Sequence, residues 1–243
     1  MRHLAAQLAW PKVKALAQGG ALALLPVGST EAHGPHLPLG VDVLIAEEVC
    51  RRVSARLGLE VVQFPAITYS LTDFAAPFAG TISLAAEAAR ALLEGVLSGI
   101  AAAGFSRIGV VNHHLEPAHF KVVHAAAKAV NATVGSIVVV VDHRRAPTGP
   151  LLGEEFMHGG SHAGNYETSL MLAAAPQLVD EAARLALPEL AVDLPAAIKA
   201  GAKSFLDCGG PDAYLGAPAT ATAAEGERLF ELLTTSALAA LAR

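Results

Sequence analysis

Residues 21–42 read ALALLPVGSTEAHGPHLPLGVD. Residues 21–25 are an apolar run that suits a buried strand, and the remainder is too rich in Gly and Pro to be a helix. Glu31, His33, His36 and Asp42 therefore lie just beyond a strand's C-terminal end. In open α/β sheets that edge is where ligands bind. Carboxylate oxygen combined with imidazole nitrogen suits Zn²⁺, Mn²⁺ or Fe²⁺, whereas an all-oxygen set would suit Mg²⁺ or Ca²⁺. No thiolate is near, so a structural zinc knot is not expected.

Outward from this stretch, apolar spacing predicts a helix over 43–56, stopped by Gly58, and a second strand over 60–65. Residues 66–80 form a loop with Tyr69, Ser70, Asp73, Phe74 and Phe78. Ser83 can cap a helix running to residue 103. A strand over 107–112 then leads directly into His113-His114-Leu115-Glu116-Pro117 and a helix over 118–130. Residues 135–141, apolar from residue 137 on, predict a central strand, with Asp142 and His143 in structural hydrogen bonds. Upstream, residues 1–20 read as an amphipathic helix interrupted at Pro11, with Trp10 packed against it. Downstream, the Gly-rich stretch 149–160 opens onto His162 and Glu167 and a helix to residue 175. Residues 176–219 show little periodicity and suggest a covering segment, and 220–243 a closing amphipathic helix. The alternation of strands and helices implies an α/β fold of three layers, a mostly parallel sheet with helices on both faces.

A chain of 243 residues suits one domain, here 1–243, with a substantial core. A net charge of -5 without a basic cluster argues against nucleic acid as partner. Although 53% of residues are apolar, every apolar run is interrupted well short of the ~20 that a bilayer span needs. The N-terminal MRHLAAQLAWPKVK has no signal-peptide core. Cys50 and Cys208 form no CxxC pair, so a cytoplasmic location is expected. The apolar excess points to a homo-oligomer.

Parallel strands place their C-terminal ends along one edge, which brings the first two clusters together. Glu31, His33 and Asp42 with His114 and Glu116 supply enough ligands for two metal ions sharing a carboxylate. Glu31 and His33, like His114 and Glu116, are i and i+2, one side of an extended loop. Such a pair of ions would lower the pKa of a water and polarise a carbonyl, so hydrolysis of an amide-like bond is the natural reaction. His113 and His119 are alternative ligands that spacing does not separate from His114; His113 is ranked as a supporting residue.

PVGSTEAHGPHLPLGVD, NHHLEP and SHAGNYETSLML, with FAGTISL at 78–84 and LGAPATATAAEG at 215–226, occur in an order that resembles the creatininase family of metal-dependent amidohydrolases. The resemblance covers nearly the whole chain. It implies one metal on Glu31 and His114, another on His33 and Glu116, and Asp42 bridging them. The ions would be Zn and/or Mn, with Fe possible. It also implies His162 as a histidine shuttling a proton from the attacking water to the leaving nitrogen. Glu167 would stand beside it as an orienting carboxylate or an occasional ligand. Family members resemble hexamers, so a homohexamer built as a trimer of dimers is expected.

Two positions depart from creatinine-hydrolysing members, which carry Glu immediately before the shuttling histidine and tryptophan four residues before it. Here these are Ser161 and His158. With Ser70 and Leu115 they are the expected substrate contacts. An aromatic lid over a flat ring is thereby lost. The expected substrate is a small cyclic or linear amide cleaved at a non-peptide C–N bond. Relatives that deformylate formamides, trim a cofactor-precursor peptide or open cyclic diketo sugars offer alternatives. A non-catalytic metal- or metabolite-binding protein is the reading from another class. A nucleophilic hydrolase is disfavoured because no Ser sits in a GxSxG elbow.

Overall fold

The computed structural model describes residues 1–135, 137–145, 147–159 and 161–242. Strands and helices alternate as β1 (Arg2–Leu4), α1 (Trp10–Gln18), β2 (Leu22–Val27), α2 (Val41–Arg56), β3 (Val61–Gln63), α3 (Ala86–Ala102), β4 (Arg107–Asn112), α4 (Pro117–Val134) and β5 (Ile137–Val141). Then follow α5 (Glu154–Met157), α6 (Asn165–Ala174), α7 (Glu181–Ala186), α8 (Leu194–Lys199) and α9 (Ala223–Leu241).

The five strands form one sheet in the order β1-β3-β2-β4-β5, and every pairing is parallel. Successive residues of β2 face opposite ways, so both layers can be read from it. Leu22 and Leu24 enter a core with Ile45 and Val49 of α2, Leu170 of α6, and Phe230 and Leu233 of α9. Ala23, Leu25 and Val27 enter the other, with Leu16 of α1, Leu93 and Leu97 of α3, and Val123 and Val130 of α4. Leu24 and Leu25 are wholly buried; each contributes about 2 kcal/mol by leaving water.

The topology positions the site. From β2 the chain passes through α2 to β3 on one side, then through α3 to β4 on the other. The order thus reverses about β2, and the crevice beyond the carboxyl ends of β2 and β4 is the switch point where open α/β sheets bind ligands. The His113 N–H donates to the Val27 carbonyl at 3.1 Å, holding the two loops together as they leave the sheet.

Several sequence expectations are corrected. The first twenty residues hold a short strand before the helix, because Pro11 belongs to the first turn of α1 and starts it rather than interrupting it. Trp10 is 74% exposed and does not pack. β5 is an edge strand; its apolar character comes from α4 and α9 covering its two faces. Of the predicted strand 135–141, Gly135 ends α4 in a left-handed conformation with φ +62°, and residue 136 lies outside the described residues, as do residues 146, 160 and 243. Ser83 does not cap α3, which begins after Ala85; its hydroxyl instead bonds Asp73 and the Thr72 N–H. The covering segment contains α7 and α8, capped by Asp180 and Asp193. Asp42 lies in the first turn of α2 and not in a loop.

Candidate metal centre

Two glycines let the first cluster form. A Cβ at Gly28 would lie 2.7 Å from Cβ of Asp42 and from the Val43 nitrogen, so only glycine lets α2 start against the end of β2. Ser29 then donates to Asp42 Oδ2 at 2.5 Å. Gly34 has φ +67° and turns the chain after His33.

Ring nitrogens of both histidine ligand candidates are assigned by their backbone bonds. His33 Nδ1 donates to the Glu31 carbonyl at 3.0 Å, which leaves Nε2 facing the cluster. His114 is the reverse, with Nε2 donating to the Leu71 carbonyl at 2.9 Å and Nδ1 facing inward. Around these two atoms stand carboxylates. His33 Nε2 is 3.6 Å from Glu31 Oε1, 3.6 Å from Asp42 Oδ1 and 3.5 Å from Glu167 Oε2. His114 Nδ1 is 3.1 Å from Asp42 Oδ2 and 3.5 Å from Glu31 Oε2. Thr72 donates to the same Glu31 oxygen.

Three sets of donor atoms lie within 4.8 Å of one another: Glu31, Asp42 and His114; His33, Asp42 and Glu167; and Glu31, His33 and His162. All of these residues are buried. His33 Nε2 is buried without a hydrogen-bond partner among the described residues, a cost that a bound cation removes. The residues therefore fit a divalent metal; Glu31, His33 and Asp42 each belong to two of the sets, and Asp42 turns Oδ1 to His33 and Oδ2 to His114.

Charge balance says the same. Burial opposes a proton on His33, yet Asp42, Glu167 and Glu31 outweigh it and raise the imidazole to about 10. His114 is raised to about 10 against burial by Glu31 and Asp42. Burial opposes ionisation of Asp42, but His114, His113 and His33 hold it well below the usual carboxylate range. Burial pushes Glu167 up to about 8. Protons on two imidazoles thus supply the positive charge that metal ions would otherwise bring.

The other expected residues divide clearly. Glu116, expected to join His33 as a ligand, is in none of the three sets; Glu167 stands beside His33 instead. Glu116 lines the cavity and accepts the Phe74 N–H at 3.3 Å, and burial pushes it up to about 7. His162 donates from Nε2 to the Ala32 carbonyl at 2.9 Å and turns Nδ1 toward Glu31 Oε1, 3.5 Å away. Its ring stacks on Phe205 at 4.0 Å, and burial together with the charge on His33 lowers its pKa well below the ordinary value. Leu115 and Ser161 line the cavity. Ser70 does not; it is buried and bonded to His119, whose Nε2 bonds Asn112, so this trio braces the ring of His114 from behind. His158 faces a separate hollow, 3.8 Å from Glu154. His113 sits 3.8 Å from Asp42 and bonds Tyr166. His36 is held by Thr168.

The cavity above the cluster measures about 290 Å³, with Glu31, Asp42, His114 and Glu167 as its floor and Phe74, Phe205, Leu194 and Ile198 among its walls.

The sequence model of Creatininase, described as creatinine amidohydrolase, matches residues 6–241. The chain belongs to the creatininase family. Members of that family provide the scale of the likeness. A mycofactocin precursor peptide peptidase of Mycobacterium ulcerans (strain Agy99) is 34% identical over 229 residues, covering 90% of this chain and 84% of that protein. A creatinine amidohydrolase of Pseudomonas putida is 30% identical over 190 residues, 72% of each. The structure described as Creatininase Mn superposes with a TM-score of 0.77 over 99% of this chain and 97% of that one, at 23% identity. The shared fold of this creatininase-family hydrolase is therefore the three-layer parallel architecture described above. No described helix is long and apolar enough to cross a membrane.

Proposed function

We propose that this creatininase-family hydrolase uses two divalent ions to cleave an amide C–N bond in a peptide-like substrate. The observation that carries the reading is Asp42, whose carboxylate is common to the set with Glu31 and His114 and the set with His33 and Glu167. Mixed carboxylate and imidazole donors suit Zn²⁺ or Mn²⁺. When bound, such ions polarise a carbonyl oxygen and lower the pKa of a water.

The chain's own residues then handle the proton. Glu116, at about 7, is the better acceptor on the cavity wall near neutral pH. His162 rests neutral with Nδ1 free to accept, so a proton taken from the attacking water and passed on from Glu116 would leave Nδ1 again for the leaving nitrogen and return the imidazole to its neutral form. Phe205, flat against that ring, keeps it aimed and excludes water.

Peptide-like substrate replaces the non-peptide C–N bond expected from sequence. In support, His158 is turned away from the cavity, so the position of the expected aromatic lid leaves the mouth open. Its walls carry the apolar side chains of Leu115, Leu194, Ile198 and Met157 beside the aromatic rings. The relationship to the mycofactocin precursor peptide peptidases points the same way. A small cyclic amide is the second reading, favoured by the Phe74 and Phe205 rings, whose centroids lie 5.7 Å apart in the cavity wall. A cytoplasmic homohexamer is proposed with either, and light scattering tests its size.

Elemental analysis of metal-loaded protein tests the core of the reading, with two ions per chain expected. Less than one ion per chain would sink it. Parallel assays on short peptides and on creatinine decide between the two substrates.

A further inference from the structure

Carboxylates line the floor of the cavity, and one guanidinium borders it. Among the described residues lining the cavity, Arg144 is the only Lys or Arg. It leaves the carboxyl end of β5, the same edge of the sheet that carries the metal cluster. Its Nε and Nη2 bond Asp142 at 2.9 and 3.0 Å, and its Cζ lies 3.1 Å over the ring of Phe120. The guanidinium is thus clamped in plane from one edge and one face. Nη1 makes no hydrogen bond among the described residues, and about a third of the side chain, 31%, is exposed.

Asp142 does not cancel this charge. Arg145 approaches the same carboxylate at 3.2 Å, so two guanidiniums share one anion and the trio is net positive. His124 Nε2 also faces it at 3.5 Å. Although burial opposes it, Arg144 and Arg145 hold Asp142 down at about 2, so the anion is constant across neutral pH. A rigid guanidinium with a spare edge is the donor best matched to a carboxylate.

We infer that Arg144 receives a carboxylate of the substrate, so that the molecule cleaved is a linear amide ending in a free carboxylate, such as a peptide C-terminus. The inference rests on the hydrolase reading above and names its substrate class. Arg144 is fixed on the cavity lining apart from the metal cluster, so a carboxylate received there leaves the scissile amide of the same molecule to face Glu31, Asp42 and His114.

The test is calorimetric binding of two probes to zinc-loaded protein: the hydroxamate of succinyl-leucine with a free carboxylate, and the same compound as its leucine amide. The hydroxamate anchors either probe on metal, and only the terminus differs. Wild type should bind the carboxylate form at least about tenfold more tightly, the scale of a hydrogen bond to a charged group. In Arg144→Gln the two should bind alike, with the amide form unaffected, and Arg144→Lys should keep part of the preference. Equal binding of both probes by wild type, or a preference that survives in Arg144→Gln, overturns the inference while leaving the hydrolase reading intact. If neither probe binds the zinc-loaded protein, the hydrolase reading itself fails and this inference with it.

Discussion

Glu167 Oε2 stands 3.5 Å from Nε2 of His33, and the Ala163 N–H donates to that same oxygen at 2.7 Å. Ala163 has a left-handed φ of 51°, an uncommon conformation for a residue with a Cβ. The bend turns the chain between His162 and α6, so both side chains return to the cluster from one short segment.

This geometry exchanges the roles expected of two glutamates, Glu116 as the ligand beside His33 and Glu167 as an orienting carboxylate or occasional ligand. Replacing Glu167 by Gln should lower the metal content by about one ion per chain, since a neutral amide is a weaker ligand in a site that depends on charge. Glu116→Gln should leave metal content unchanged. Elemental analysis of both variants beside wild type decides, and loss of metal in Glu116→Gln alone would restore the ligand assignment expected from sequence.

Metal uptake should release protons. At pH 7 the His33 and His114 imidazoles, each at about 10, and Glu167, at about 8, all hold a proton in the metal-free chain. Ligands must shed their protons to bind, so affinity rises with pH and more than one proton per chain leaves on loading. Titration calorimetry in buffers of different ionisation enthalpy measures that number. A value near zero at pH 7 would contradict the protonation described.

Most of the site was legible because its loops follow strands of strong pattern. Residues 107–112 form β4 as predicted, and the edge argument brings Glu31 and Asp42 to His114. Glu167 entered the sequence reading only as an orienting carboxylate or occasional ligand, because it approaches His33 through the bend at Ala163, which no residue type announces. β1 has three residues, and α7 and α8 six each, too short for apolar periodicity to register. Asp180 and Asp193, each accepting the N–H three residues on, were the available signal for the two helices. Arg144 carried no sequence signal, as its value lies in the stack on Phe120 and the rim it borders.

Gly28→Ala tests the approach of α2 to β2. The added methyl meets backbone and Cβ of the first turn of α2 at 2.7 Å, neither of which is a flexible side-chain end. Overpacking of this kind costs about 1–3 kcal/mol, and here it also displaces Asp42. Denaturant unfolding should show that loss, accompanied by weaker metal binding. Unchanged stability with full metal content would mean that α2 can shift without cost.

The pH dependence of turnover follows from Glu116. Burial raises it to about 7, so below that pH it is a neutral acid unable to accept a proton and above it a carboxylate that can. If it takes the proton of the attacking water, activity rises with pH through that midpoint. Bound cations nearby favour the ionised form and draw the midpoint below 7. His162, held far below its ordinary value, stays neutral throughout and adds no second rise near neutrality. Glu116→Gln, uncharged at every pH, should lose about a hundredfold or more of kcat and with it the rising limb, while metal content stays whole. Rate profiles of wild type and variant between pH 5 and 9 make the comparison. A variant that keeps the limb at reduced height would assign that ionisation to another group and leave Glu116 a role in positioning alone.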